Sequence, residues 1–142
     1  MITQRRSGFT LIELMVVILV LALLAGLVAP QIFGRVSEAR IATARTQIDL
    51  LGVALDNYRL DNGFYPTTEQ GLAALREKPV RDPAPVSWRG PYLRKDVPLD
   101  PWNRRYLYRS PTTAGASGFD LSSLGRDGAP GGEGEDADLS GS

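Results

Sequence analysis

Residues 8–29, Gly-Phe-Thr-Leu-Ile-Glu-Leu-Met-Val-Val-Ile-Leu-Val-Leu-Ala-Leu-Leu-Ala-Gly-Leu-Val-Ala, form an apolar run of membrane length interrupted by one carboxylate, Glu13. About 20 apolar residues in a helix cross a bilayer core, so residues 9–30 are expected to be a transmembrane helix. Arg5 and Arg6 stand just before the run. A positive flank stays on the cytoplasmic side, which puts the C-terminal bulk across the membrane. A charge inside such a run costs roughly 2.5–3.5 kcal/mol at the helix centre and less towards its end. Glu13 lies only about 6 Å along the helix from Phe9, close to the headgroups. Two plainer readings compete. One is a secretory signal peptide cut near Ala29, although the run exceeds the roughly 7–15 apolar residues of such a peptide and Pro30 follows the would-be scissile bond. The other is a simple single-span anchor with an incidental Glu.

The rest of the chain has room for one modest domain, since there are 142 residues in all. Lys plus Arg and Asp plus Glu number 16 each, so no global attraction to nucleic acid is expected. The charge is unevenly placed: Arg104, Arg105 and Arg109 cluster, and Asp127, Glu133, Glu135, Asp136 and Asp138 gather near the C-terminus. Cysteine and histidine are absent. Disulfides, thiolate metal sites and the usual nucleophile–base pairs are therefore out of reach. No glycine-rich phosphate loop or nucleophile elbow occurs. The expectation is a protein that is not an enzyme.

After Pro30 the pattern turns amphipathic over residues 31–61. Ile41, Ala44, Ile48, Leu51, Leu55 and Tyr58 recur at spacings of three and four, with Arg40, Arg45, Gln47, Asp56 and Arg59 opposite. One helix from Phe9 to about Leu60 is expected, with bends possible at Gly26 and Pro30. The apolar stripe reads as a core-facing surface that fastens the globular part to the helix. Asp61-Asn62-Gly63 supplies residues tolerant of the left-handed region to end it.

A globular part then occupies residues 62–142. Thr67 with Gln70 three residues on is a capping box that predicts a short second helix, with Leu72 and Leu75 on its apolar side. Strands are expected at Arg104–Arg109, where Tyr106 and Tyr108 share a face, and at Phe119–Leu124, where Phe119 and Leu121 do. The turn Pro111–Gly118 would join them as a hairpin. A third strand is placed near Tyr92 or Asp96. The fold class is α+β: a long N-terminal helix packed on a small antiparallel sheet.

The segment Leu124–Asp138 holds five glycines and five carboxylates. Acidic, glycine-rich sequence of this kind is often a solvated tail. It also suits calcium, which takes six to eight hard oxygens from carboxylates and backbone carbonyls. The spacing is not that of an EF-hand.

Gly8-Phe-Thr-Leu-Ile-Glu13 resembles the class III prepilin leader, which is cut between Gly and Phe. The chain as a whole resembles the major pseudopilins of type II secretion systems, a branch of the type IV pilin superfamily. The more specific matches are Asp61-Asn-Gly-Phe-Tyr-Pro-Thr-Thr-Glu-Gln-Gly-Leu72, Gly90-Pro-Tyr-Leu93, Asp100-Pro-Trp102, and Ser123-Leu-Gly-Arg-Asp-Gly128 through Gly131-Gly-Glu-Gly134 to Asp138-Leu139. The resemblance implies a leader, residues 1–8, removed between Gly8 and Phe9, an N-methylated Phe9, and Glu13 as the residue that pairs with a neighbouring subunit during assembly. It also implies a calcium loop over residues 124–139, and here the best candidates for ligands are Leu124, Asp127, Asp136 and Asp138, with Glu133 and Glu135 facing solvent. The sequence departs from the family pattern after Asp100-Pro-Trp102, where Asn103-Arg104-Arg105 replaces the usual Gly, Asn and Pro.

The function this implies is a structural subunit that leaves the inner membrane and stacks into a periplasmic filament, helping to drive folded proteins across the outer membrane. The implied partners are further copies of the chain, minor pseudopilins, the prepilin peptidase, and an inner-membrane platform with its ATPase. The alternatives are a subunit of a type IV pilus or DNA-uptake pseudopilus, and a membrane-anchored calcium-binding protein.

Overall fold

The computed structural model describes residues 8–111 and 117–141. Two compact units are present, Met1–Val36 and Ser37–Ser142. The helix α1 spans Leu11–Asn62, 52 residues, close to the bounds expected from the sequence. Its assignment continues through Gly26 and Pro30.

In the first unit α1 carries an 18-residue stretch, Leu11–Val28, with mean hydropathy 3.0 and no part of it buried by the chain itself. Length and composition suit it to cross a membrane.

In the second unit α1 buries one stripe. Ala44, Ile48, Leu51, Ala54, Leu55 and Tyr58 are all 3% exposed or less, as spacings of three and four require. Gln47, expected on the polar face, is instead half-buried and accepts a hydrogen bond from the Tyr106 hydroxyl. The helix ends on Gly63, whose φ of 83° lets its N–H reach the Arg59 carbonyl at 2.7 Å. That is the single bond of an αL cap.

The capping box at Thr67 forms in both directions: Gln70 N–H to Thr67 Oγ1 at 3.2 Å and Thr67 N–H to Gln70 Oε1 at 3.0 Å. What it starts is a turn and then a four-residue 3-10 helix, Leu72–Leu75, not an α-helix. Leu72, Ala74 and Leu75 are buried beside the stripe of α1.

The sheet has three antiparallel strands in the order β1–β2–β3. Strand β1 is Leu107–Arg109 and β2 is Asp120–Ser123, paired with Tyr108 opposite Leu121. Both lie within the expected segments but are shorter. Residues 112–116 of the joining turn lie outside the described residues.

The third strand is not near Tyr92 or Asp96. It is Leu139–Gly141, β3, with Leu139 opposite Ser123 and Gly141 opposite Leu121. Leu139 is 6% exposed, so burial of that one side chain and pairing with β2 hold the C-terminal segment in the domain. Close packing explains Gly141, where an added Cβ would collide with Ile48 of α1. The Tyr92 region instead contributes aromatic packing, with Tyr92 against Tyr58 at 5.6 Å and against Trp88 at 5.8 Å between ring centroids.

Candidate functional site

Two sites follow from the sequence, one at the start of α1 and one in the loop between β2 and β3.

At the start of α1, Gly8 and Phe9 are exposed and precede the helix. A Cβ added at Gly8 meets nothing within 4 Å, so the fold itself does not require glycine there. Glu13 is the third helical residue, and its carboxylate accepts from both the backbone N–H and the hydroxyl of Thr10 at 3.2 Å. The Glu13 N–H returns a bond to Thr10 Oγ1 at 3.3 Å. Thr10 and Glu13 are thus a second capping box, which satisfies two donors at the helix start. The pattern Thr-x-x-Glu was visible in the sequence in the same form as Thr67-x-x-Gln. The negative charge also lies in the first turn, where the helix dipole favours it.

The C-terminal loop opens at Leu124, just past β2, and closes at Asp138, just before β3. Its curl depends on glycine. Gly125, Gly128, Gly131, Gly132 and Gly134 all have φ between 61° and 94°, a region that side chains with a Cβ rarely adopt. At Gly125 a Cβ would come within 2.6 Å of the Glu135 carbonyl oxygen, where the two arms of the loop meet. The Arg126 N–H bonds that same carbonyl at 2.8 Å.

The four expected ligands have different roles here. Leu124 is half-buried at the loop entrance. Asp127 Oδ1 accepts the Ala129 N–H at 3.0 Å, and Asp138 Oδ2 accepts the Gly131 N–H at 3.0 Å. Asp136 is engaged differently, because both its oxygens face the Arg126 guanidinium at 2.9 Å. These bonds are the main reason that the Arg126 pKa is raised. Among the described residues no three Asp or Glu side chains gather as a metal-holding group. Hard oxygens of the type calcium takes are present at Leu124, Asp127 and Asp138, each beside a glycine-rich turn; the Asp136 carboxylate fits less well because a guanidinium already chelates it.

Glu135 departs from the expectation of a solvated side chain. It is only 12% exposed and lies 3.5 Å from Arg40 of α1 and 3.4 Å from Arg126. It also accepts from the Trp102 indole N–H at 3.4 Å. A second carboxylate escaped notice in the sequence. Asp100 is 3% exposed and accepts from the backbone N–H groups of Trp102 and Arg104 and from the Ser123 hydroxyl, the last at 2.6 Å. The Asp-Pro-Trp motif marked this turn, but not that its carboxylate is turned inward.

A long helix with an apolar, unburied N-terminal stretch, carrying a small antiparallel sheet, is the architecture of a pilin-like filament subunit. Family models match in two parts: type II secretion system protein G over residues 31–142 and the prokaryotic N-terminal methylation motif over residues 3–29. The type II secretion system core protein G of Pseudomonas aeruginosa is 47% identical over 136 residues, covering 96% of this chain and 94% of that protein. The core protein G of Vibrio cholerae is 45% identical, covering 96% and 91%. The crystal structure of the major pseudopilin from the type 2 secretion system of enterohaemorrhagic Escherichia coli superposes with a TM-score of 0.63. It is 38% identical and covers 76% of this chain and 90% of that one. The chain belongs to the type II secretion system protein G family, the major pseudopilins, and is a structural subunit of the pseudopilus.

Proposed function

We propose that the subunit is cut between Gly8 and Phe9, N-methylated on Phe9, held in the inner membrane by residues 9–30 with its C-terminal domain in the periplasm, and polymerised there. The observation that carries this reading is an apolar stretch of α1, Leu11–Val28, left unburied by its own chain and headed by Glu13. Such a surface needs lipid before assembly and neighbouring helices after it. In the packed filament an unpaired carboxylate is costly, and the cationic N-terminus of Phe9 on an adjacent copy is the natural partner. Before assembly, the Thr10 box and the nearby headgroups reduce the cost of Glu13. Carboxylate and amine together then set the register of neighbouring subunits. Minor pseudopilins, the prepilin peptidase, and a platform with its ATPase would prepare, extract and stack the subunits so that the filament drives folded proteins across the outer membrane.

Glu13→Ala should be processed and inserted as wild type, yet fail to form filaments and lose secretion of folded hydrolases. Mass spectrometry should find residues 1–8 missing from both proteins. Normal secretion by Glu13→Ala would refute the pairing.

The loop is proposed to bind calcium through the Leu124 carbonyl and the carboxylates of Asp127 and Asp138, with Asp136 joining only if it leaves Arg126. The ion would supply a divalent charge that ties the two arms of the loop together. Affinities near 10⁻⁴–10⁻³ M, on the order of those of extracytoplasmic modules, would let it stabilise the domain after export by mass action. Chelation should lower the melting temperature of the wild type and leave that of Asp127→Ala unchanged. Equal melting of the wild type with and without chelator would end the calcium reading.

A further inference from the structure

The turn at Asn103-Arg104-Arg105 has a structural consequence at the C-terminal loop. Asn103 adopts φ 64°, and the turn around it is closed twice, by the Asp100 N–H on the Arg104 carbonyl at 2.8 Å and by the Arg104 N–H on Asp100 Oδ1 at 2.8 Å. This turn aims the Arg104 side chain at the start of the loop. Its Nη1 donates to the Gly125 carbonyl at 2.7 Å and to the Arg126 carbonyl at 2.6 Å. The loop lies directly on the guanidinium, since a Cβ at Gly128 would come within 2.7 Å of Arg104 Cζ. The connection also returns from the other side: the Gly125 N–H reaches Ser123 Oγ at 3.3 Å, and the Ser123 hydroxyl donates to Asp100 at 2.6 Å. Asp100, Arg104, Gly125 and Ser123 therefore close a ring of hydrogen bonds between the turn and the loop.

Convergent backbone carbonyls are what a cation needs, and a guanidinium presents a permanent charge with several donors in fixed directions. The geometry points to Arg104 as a cation built into the C-terminal loop, one that keeps its first arm closed without a metal ion. The second arm is tied to the first by another guanidinium, Arg126, which pairs with the Asp136 carboxylate instead of with backbone carbonyls. The inference rests on the loop being an element closed by positive charge, not on calcium supplying that charge. Calcium, where it binds, then adds to an already ordered loop. Arg104 is in this sense a positioning residue.

Hydrogen exchange of the full chain in detergent micelles, read by mass spectrometry over residues 125–137 and over residues 44–58 of α1, tests this. In excess chelator the wild-type loop should be protected. Arg104→Ala should exchange there roughly tenfold faster, equivalent to about 1.4 kcal/mol, with α1 unchanged. Arg104→Lys, which keeps the charge but not the fork, should fall between, and Arg105→Ala should match wild type. An unprotected wild-type loop in chelator, or wild-type protection in Arg104→Ala, would overturn the proposal. If Arg104→Ala loses protection in α1 as well, Arg104→Lys decides: faster exchange confined to the loop supports the role, and no change overturns it. Calcium added to Arg104→Ala separates the two readings. Restored protection supports calcium and Arg104 as cations of one loop. An absence of any calcium effect, in wild type or variant, overturns the calcium reading while the chelator measurements still support Arg104.

Discussion

Between Leu11 and Val28, α1 leaves every side chain exposed, with Leu11 at 79% and Leu23 at 74%, whereas between Ala44 and Tyr58 the same helix buries a stripe to 3% or less. The first stretch is apolar all round except for Glu13, and the second is apolar on one side only. A helix of the first kind has no polar face to give to water and needs an apolar environment on every side. A helix of the second kind needs one partner surface, which the 3-10 turn and the sheet of its own chain provide. The difference shows how one helix can serve both as an anchor and as the spine of a folded domain: the sequence changes its periodicity after Pro30 while the helix itself continues through that residue.

That contrast can be broken most sharply by the same substitution in each stretch. Leu55 is fully buried and Leu21 is 59% exposed. Leu55→Ala should lower the stability of the domain by about 2–5 kcal/mol, measured by denaturant titration of the full chain in detergent. Leu21→Ala should stay within about 0.5 kcal/mol in the same experiment. Equal losses at the two positions would mean that the first stretch packs on the domain.

A smaller effect separates the buried stripe from the membrane stretch by pH. Tyr58 and Tyr106 are pushed up to about 12, chiefly by burial, from an ordinary value of 10.0. Between those values the unfolded chain gives up its phenolic protons while the folded domain keeps them. The stability these tyrosines contribute is thus complete below pH 10.0 and is lost as pH rises towards about 12. Alkaline melting followed by tyrosine absorbance should show the decline, and Tyr58→Phe should soften it.

The smallest effects come from the two capping boxes. Thr67→Ala should cost the domain about 1 kcal/mol. Thr10→Ala should leave the domain's melting unchanged and, because Glu13 is retained, should still permit filament assembly. Loss of assembly in Thr10→Ala would mean that the box, and not the free carboxylate, is what the neighbouring subunit recognises.

Much of this was legible locally. The anchor, the stripe, the αL stop at Gly63 and the Thr67 box are each written within a few residues, because helix periodicity and capping act over one or two turns. The hairpin strands were legible from the alternation that puts Tyr106 and Tyr108 on one face of the first segment and Phe119 and Leu121 on one face of the second. The third strand was not, because Leu139 follows an acidic glycine-rich segment that by composition reads as a tail, and it is ordered by pairing with β2 and by burial of Leu139. The partners of the loop carboxylates were not legible. Asp136 and Asp138 both stand near the closing arm, with Asp138 the better match to the family pattern, but Arg126 reaches across the loop to take Asp136 and leaves Asp138 to the Gly131 N–H.

The sequence by itself determined that the chain carries an apolar stretch of membrane length, where its long helix starts and stops, and that no catalytic constellation of histidine or cysteine can exist, because these depend on residue type and near-neighbour spacing. Only the tertiary structure decided which charges are solvated and which are internal. Asp100, Glu135 and Arg104 look like surface residues in a polar sequence, yet each is fixed by partners more than twenty residues away. Long-range pairing of this kind leaves no local periodicity to read, and the low-dielectric interior makes it matter, since a charge taken out of water must find its partner wherever the fold brings one.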